Sequence, residues 1–110
     1  MDPLNFKLKL KVPETSIVNS LISLVYERVK RINEILEQAR SLEISLFQKP
    51  RAEHEEQCVV AEITLAHETA VIKETCESKM WDIAFLNALD QIKLRMEETY
   101  HRSFASPVLN

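Results

Sequence analysis

The clearest pattern along the chain is a regular spacing of apolar residues in its first third. After Pro13, apolar positions recur at alternating intervals of four and three residues, which is typical of a helix that packs along one seam. Further leucines and isoleucines flank this seam, so the apolar stripe is wide enough for more than one neighbour. The pattern predicts a helix over residues 15–48. The seam consists of Val18, Ile22, Val25, Val29, Ile32 and Leu36.

A second helix is predicted for residues 52–105, a stretch without glycine or proline. The intervening segment at Pro50 is short enough to turn this helix back antiparallel to the first. The helical stripe lapses over the polar residues 73–79 and then resumes. Its members are Val59, Ile63, Ala66, Ala70, Trp81, Phe85, Ala88, Ile92 and Met96.

These two helices predict an all-α fold, a long antiparallel helical hairpin with the character of a coiled coil. At 1.5 Å per residue the second helix would extend about 30 Å beyond the first, which leaves an apolar overhang from Ala88 onward. We expect a second copy or another protein to cover this overhang, and a second copy would make the hairpin dimerise into a helical bundle. The alternative is a bend within residues 73–79 that produces a third helix and closes a three-helix bundle.

The first 13 residues form a separate segment in which apolar and polar positions alternate with a period of two. We predict an extended arm over residues 1–13, which either lies on the helices or pairs as a single strand with a partner's sheet edge. No other segment is predicted as a strand, and residues 106–110 are expected to form a disordered tail. The apolar side of the arm consists of Leu4, Phe6, Leu8, Leu10 and Val12.

Composition excludes several classes of enzyme. The 110 residues contain no glycine, so glycine-dependent phosphate loops, dinucleotide-binding fingerprints and nucleophile elbows are absent. The chain also lacks an apolar run long enough to span a membrane and an apolar segment typical of a signal peptide. We therefore expect a soluble intracellular protein, in the cytoplasm or nucleus, that has no membrane association.

Candidates for catalysis or metal binding are few. His54 and Cys58 are four residues apart, and Glu98 and His101 are three apart, but neither pair is part of a complete ligand set. On one helix, Cys58 and Cys76 would lie about 27 Å apart, too far for a disulfide. We expect a protein that is not an enzyme, with no catalytic residue, no cofactor and no metal.

Large side chains are concentrated in the last third of the chain and are either core or partner-binding residues. Together with the arm, they predict a non-catalytic protein–protein interaction module, such as an assembly, adaptor, scaffold or chaperone-like subunit. Its partner would be helical or would offer a sheet edge. The candidate residues are Trp81, Phe85, Leu89, Ile92, Met96, Tyr100 and Phe104.

The alternative function is a small helical-dimer regulator that binds DNA or RNA. The net charge of −3 and the isoelectric point near 5.6 disfavour nucleic acid as a partner. Six cations are also a modest number of phosphate contacts. These contacts would be Lys7, Lys9, Lys11, Arg28, Lys30 and Arg31.

Overall fold

The fold is α+β, with a four-stranded mixed sheet and two helices. The computed structural model describes residues 5–32, 39–50, 52, 55–67 and 70–105, the last seven of these as backbone alone. The predicted all-α hairpin, its dimeric bundle and the three-helix alternative are therefore wrong. In chain order the elements are β1 (Asn5–Lys11), α1 (Thr15–Arg31), β2 (Ser41–Gln48), β3 (Val59–Ala66), β4 (Val71–Ser78) and α2 (Trp81–Ala105).

The strands lie side by side in the order in which they occur along the chain. β1 pairs in parallel with β2, and the chain crosses between them through α1. β2, β3 and β4 form an antiparallel meander. The register places Leu42 between Phe6 and Leu65, and Leu65 beside Ile72, so apolar rows cross the sheet on one face.

Strand β2 occupies the end of the segment predicted as the first helix. Buried Leu42, Ile44 and Leu46 alternate with more exposed polar residues, which is the pattern of a strand with one covered face. Leu42 and Leu46 are also four residues apart, so the same leucines fit a helical stripe. The strand also buries Ile44, which a helical stripe through Leu42 and Leu46 would not include, so three apolar side chains are buried together. The helix predicted over residues 15–48 ends earlier, at Arg31.

Strands β3 and β4 replace the first half of the predicted second helix. Val59 and Ile63 fit a helical interval of four, but buried residues at every second position place them on one face of β3. The polar lapse over residues 73–79 coincides largely with β4, an edge strand whose side chains are mostly exposed or half-buried. The hairpin between them closes without glycine, with the amide of His67 donating to the carbonyl of Ala70 over 2.8 Å.

Helix α2 supplies much of the core. The helical stripe predicted from Trp81 onward coincides with this helix, and Phe85, Leu89 and Ile92 are at most 1% exposed. The stripe packs against β3 and β4 of the same chain. These apolar residues are therefore covered within the chain. The predicted helical dimer, which was inferred from an uncovered overhang, has no support.

Helix α1 packs on the same face of the sheet as α2. Leu21, Val25 and Ile32 belong to the core, and the last of these caps the helix at its C-terminal end. Three seam residues are half-buried and Leu36 lies outside the described residues. The seam is therefore part of a helix–sheet contact in this chain, not of a coiled coil. The half-buried members are Val18, Ile22 and Val29.

The arm is a strand whose partner belongs to the same chain. β1 pairs along its full length with β2, so the sheet partner that one of the two alternatives sought on another protein lies in this chain. Phe6, Leu8, Leu10 and Val12 are half-buried and pack against the core. Leu4 and the tail at 106–110 lie outside the described residues.

The two cysteines lie in the sheet region of the molecule and not on a helix. Cys58 and Cys76 are free thiols, the first preceding β3 and the second within β4, so the helical spacing assumed for them is wrong. Burial raises the pKa of the Cys76 thiol. Among the residues described, no group of three or more His, Cys, Asp or Glu side chains could hold a metal ion. His54 and the side chain of His101 lie outside the described residues.

Across the described residues, none of the helices has both the length and the apolar character that a membrane span requires.

Candidate nucleic-acid interface

No helix of the described residues covers one face of the sheet, and a row of lysines runs along the edge of this face. Strand alternation turns the half-buried residues of β1 toward the helices and Lys7, Lys9 and Lys11 away from them. Alternate residues on a strand are about 6.6 Å apart, and β1 is an edge strand, so the three ammonium groups project from an accessible border. We call these three residues the β1 lysine row.

The middle lysine of the row is held by a carboxylate on the neighbouring strand. Lys9 Nζ lies 2.8 Å from Glu43 Oε1, and both side chains are substantially exposed. This hydrogen bond, reinforced by the opposite charges, raises the pKa of Lys9 and lowers the pKa of Glu43. Lys7 and Lys11 make no ion pair with any residue that the structure describes. These two cations are therefore available to an external anion.

An open depression of about 610 Å³ lies at the end of the row, lined in part by Lys11, Phe47 and Lys49. Lys11 and Phe47 are register partners on β1 and β2, so an aromatic ring lies beside a cation. Lys49 forms an ion pair with Glu77, which raises the pKa of the lysine. A half-buried ring between cations is suited to stacking a nucleobase while its phosphates meet the ammonium groups.

A second basic group lies in the last turn of α1, on the other side of the same edge. Helix α1 contacts β1 through the rings of Phe6 and Tyr26, whose centroids are 5.4 Å apart. Arg31 is engaged with Glu27 at 2.8 Å. The six cations considered from the sequence therefore come from two elements in contact, β1 and α1, and lie on the two sides of the sheet. The α1 basic turn comprises Arg28, Lys30 and Arg31.

Charge is segregated along the chain in the same way. Residues 5–32, which contain β1 and α1, have six lysines and arginines against two glutamates, a formal charge of +4. Residues 59–105, which contain β3, β4 and α2, have five cationic and eight acidic residues, a formal charge of −3. The remaining residues carry −4, so the overall net charge of −3 combines a basic N-terminal part with acidic central and C-terminal parts.

Solved structures of other proteins have the same architecture. No family model and no curated protein matches the sequence. A ribosomal subunit interface protein from Coxiella burnetii superposes with a TM-score of 0.67 at 10% identity, over 88% of this chain and 96% of that one. The N-terminal domain of Protein Y from Thermus thermophilus superposes with a TM-score of 0.66 at 15% identity, over 86% and 98%. The chain shares their fold.

The predicted partner-binding residues are placed mainly in the core. Trp81, Phe85, Leu89, Ile92 and Met96 are at most 6% exposed, in line with the core alternative left open by the sequence. The half-buried residues of β1 face the helices. The side chains of Tyr100 and Phe104 lie outside the described part of α2. Contact of these residues with a partner stays a prediction.

Sequence reasoning missed Glu43, Phe47 and Lys49. Glu43 and Phe47 follow from assigning 41–48 to a strand, because the alternation that buries Leu42 and Leu46 places them on the opposite face, and Lys49 comes directly after this strand. The period-two pattern was therefore the observation that could have found them.

Proposed function

We propose that this protein is a non-catalytic ribosome-binding protein that contacts ribosomal RNA with the β1 lysine row and the adjacent depression. The shared fold supports this proposal, because one protein with that fold is named for the ribosomal subunit interface. Ribosomal surfaces expose a dense array of RNA phosphates. The β1 lysine row, in which Lys7 and Lys11 make no ion pair with a described residue, complements such a surface.

The observation that carries the proposal is the pair of cations Lys7 and Lys11, both exposed and without an ion pair among the described residues. They project from an edge strand, so no neighbouring strand restricts access to them. Release of counterions from RNA favours binding at each phosphate that a lysine neutralises. The acidic side of the molecule would be repelled by RNA, which favours one orientation of the bound protein.

This proposal keeps the non-catalytic binding role expected from the sequence and changes the surface that performs it. The aromatic residues at first considered for binding lie in the core, whereas the accessible helix-free face is polar and carries the lysine row. RNA fits such a face better than an apolar helix does. Binding to ribosomes would also place the protein in the cytoplasm.

The test is sedimentation of the protein with purified ribosomes and with separated subunits, across a range of salt concentrations. Replacing Lys7 and Lys11 together by Gln is expected to weaken binding about tenfold, because two phosphate contacts are lost. The dependence of log affinity on log salt concentration should become shallower by about 1.4 to 1.8. Circular dichroism establishes that the variant is folded.

The matched control changes Lys79 and Lys93 to Gln. It removes the same charge from the acidic side of the molecule, where Lys79 already pairs with Glu56. We expect the control to bind ribosomes within a factor of about two of the unaltered protein. Equal weakening in both variants would show a non-specific charge effect and contradict the assignment of the lysine row. Absence of binding by the unaltered protein at low salt would contradict the function itself.

A further inference from the structure

A recess lies on the opposite face of the sheet from the lysine row, between the first turns of α1 and α2. Its volume is about 440 Å³. The walls are mainly apolar and include Ile17 and Leu24 from α1 and Trp81 from α2. Met80 also lines it and leaves 58% of its surface exposed. Methionine adapts its shape readily, so this wall can accommodate more than one apolar side chain.

The charged residues that line the recess are both acidic. Glu14 precedes α1 and Asp82 lies in the first turn of α2, and both are exposed. The two helix N-termini contribute about half a positive charge each, which offsets roughly half of the two carboxylate charges. The local charge therefore remains negative, and no Lys, Arg or His is among the described residues that line the recess.

We infer that this recess docks a cationic amphipathic peptide segment of another protein. An apolar side chain of that segment inserts between Leu24 and Trp81, while lysines or arginines on its flanks meet Glu14 and Asp82. Charge complementarity selects this occupant, because RNA and acidic peptides would be repelled by the same carboxylates. The inference does not depend on ribosome binding, since the recess and the lysine row occupy opposite faces of the sheet.

The test uses three synthetic helical peptides of about 15 residues, long enough to form an amphipathic helix. The probe has a leucine face and a lysine face. The second peptide replaces lysine by glutamate, and the third replaces leucine by alanine. Calorimetry measures affinity, and the emission of Trp81, the chain's single tryptophan, reports on the recess. We expect saturable binding of the first peptide with a dissociation constant on the order of 100 μM or tighter, and at least about tenfold weaker binding of the others.

Two pairs of variants locate the site. Changing Glu14 to Gln and Asp82 to Asn should weaken the leucine–lysine peptide about threefold to tenfold, whereas changing Glu97 and Glu98 to Gln removes the same charge far along α2 and should have little effect. Met80→Ala should also weaken binding. Leu94→Ala is its control, because Leu94 is 52% exposed on α2 and does not line the recess.

Several results would overturn the inference. Equal affinity for the glutamate peptide would remove the charge argument, and equal affinity for the alanine peptide would remove the apolar one. Equal weakening by the Glu97 and Glu98 control would place the peptide elsewhere. A change of Trp81 emission with protein concentration alone would show that a second copy covers the recess. Each outcome is independent of whether the lysine row binds ribosomes.

Discussion

The two borders of the sheet differ in what covers them and in what they expose. On the β4 side, α2 buries a continuous stripe against β3 and β4, and the local charge is negative. On the β1 side, the apolar residues of the strand are half-buried and the outward residues are lysines. An edge strand is protected from further strand pairing by such lysines, and the same lysines attract polyanions. The β4 border therefore supplies most of the buried core, and the β1 border is the one to which we assign binding in the proposed function.

The largest expected effect is a loss of stability when a buried side chain of α2 is truncated. Phe85 is completely buried, so Phe85→Ala should lower the free energy of unfolding by about 3–5 kcal/mol. Phe6 is half-buried on β1, and Phe6→Ala should cost about 1–2 kcal/mol. Urea unfolding followed by circular dichroism measures both. Equal costs would show that the two borders contribute equally to stability.

A smaller effect concerns the ion pairs on the two sides. Arg95 on α2 lies 2.9 Å from Glu74 of β4, whose side chain is 19% exposed. Arg95→Gln should cost about 0.5–1 kcal/mol after allowance for the exposure of the arginine. Arg31→Gln is the matched change on α1, where both members of the pair are exposed, and should cost less than about 0.5 kcal/mol. A larger loss of unfolding free energy for Arg31→Gln than for Arg95→Gln would contradict the greater stability assigned to the β4 side.

A further prediction concerns the β1 side, where one substitution should increase the proposed affinity for ribosomes. Under the proposed function, Glu43 would compete with RNA phosphates for Lys9, so Glu43→Gln should increase affinity for ribosomes about twofold to threefold. Glu97→Gln removes the same charge from the exposed surface of α2 and should leave affinity nearly unchanged. Fluorescence anisotropy with a labelled protein measures both. An unchanged or lower affinity for Glu43→Gln would exclude Lys9 from the interface.

The smallest effect is a pH dependence of stability. The pKa values of Glu43 and Glu77 are lowered by hydrogen bonds from Lys9 and Lys49, so both pairs contribute above the ordinary carboxyl pKa of 4.5. That contribution is lost as pH falls through the lowered pKa values. The urea midpoint should therefore fall between about pH 6 and pH 3, and fall less when Lys9 and Lys49 are both changed to Gln. Identical falls would show that the pairs contribute nothing.

The spacing of apolar residues along the chain predicted part of the fold correctly. The period of two in residues 4–12 identified a strand-like segment, and the stripe from Trp81 to Met96 coincides with α2. The sheet partner of β1 was not deducible, because a strand's pattern states which face is covered and not which strand lies beside it. Neither alternative for the arm, lying on the helices or pairing with another protein, included β2 as its partner.

Residues 41–66 show why the meander was missed. Leu42 and Leu46, and Val59 and Ile63, satisfy a helical interval of four and a strand interval of two at once. Absence of glycine removed the usual mark of a turn, so the hairpin at His67 and Ala70 was hidden. The basic residues were identified from sequence, but their distribution over two sides of one edge depends on the fold.

The parallel pairing of β1 with β2 has a consequence for the order of folding. Each residue of β1 pairs with one 36 positions later, as in Asn5 with Ser41, whereas the meander begins from pairs as close as Ala66 and Val71. Loop closure makes the long-range pairing slower, so we expect the meander and α2 to assemble as the nucleus and β1 to dock last. The first strand to leave the ribosome during synthesis would then be the last to join the sheet.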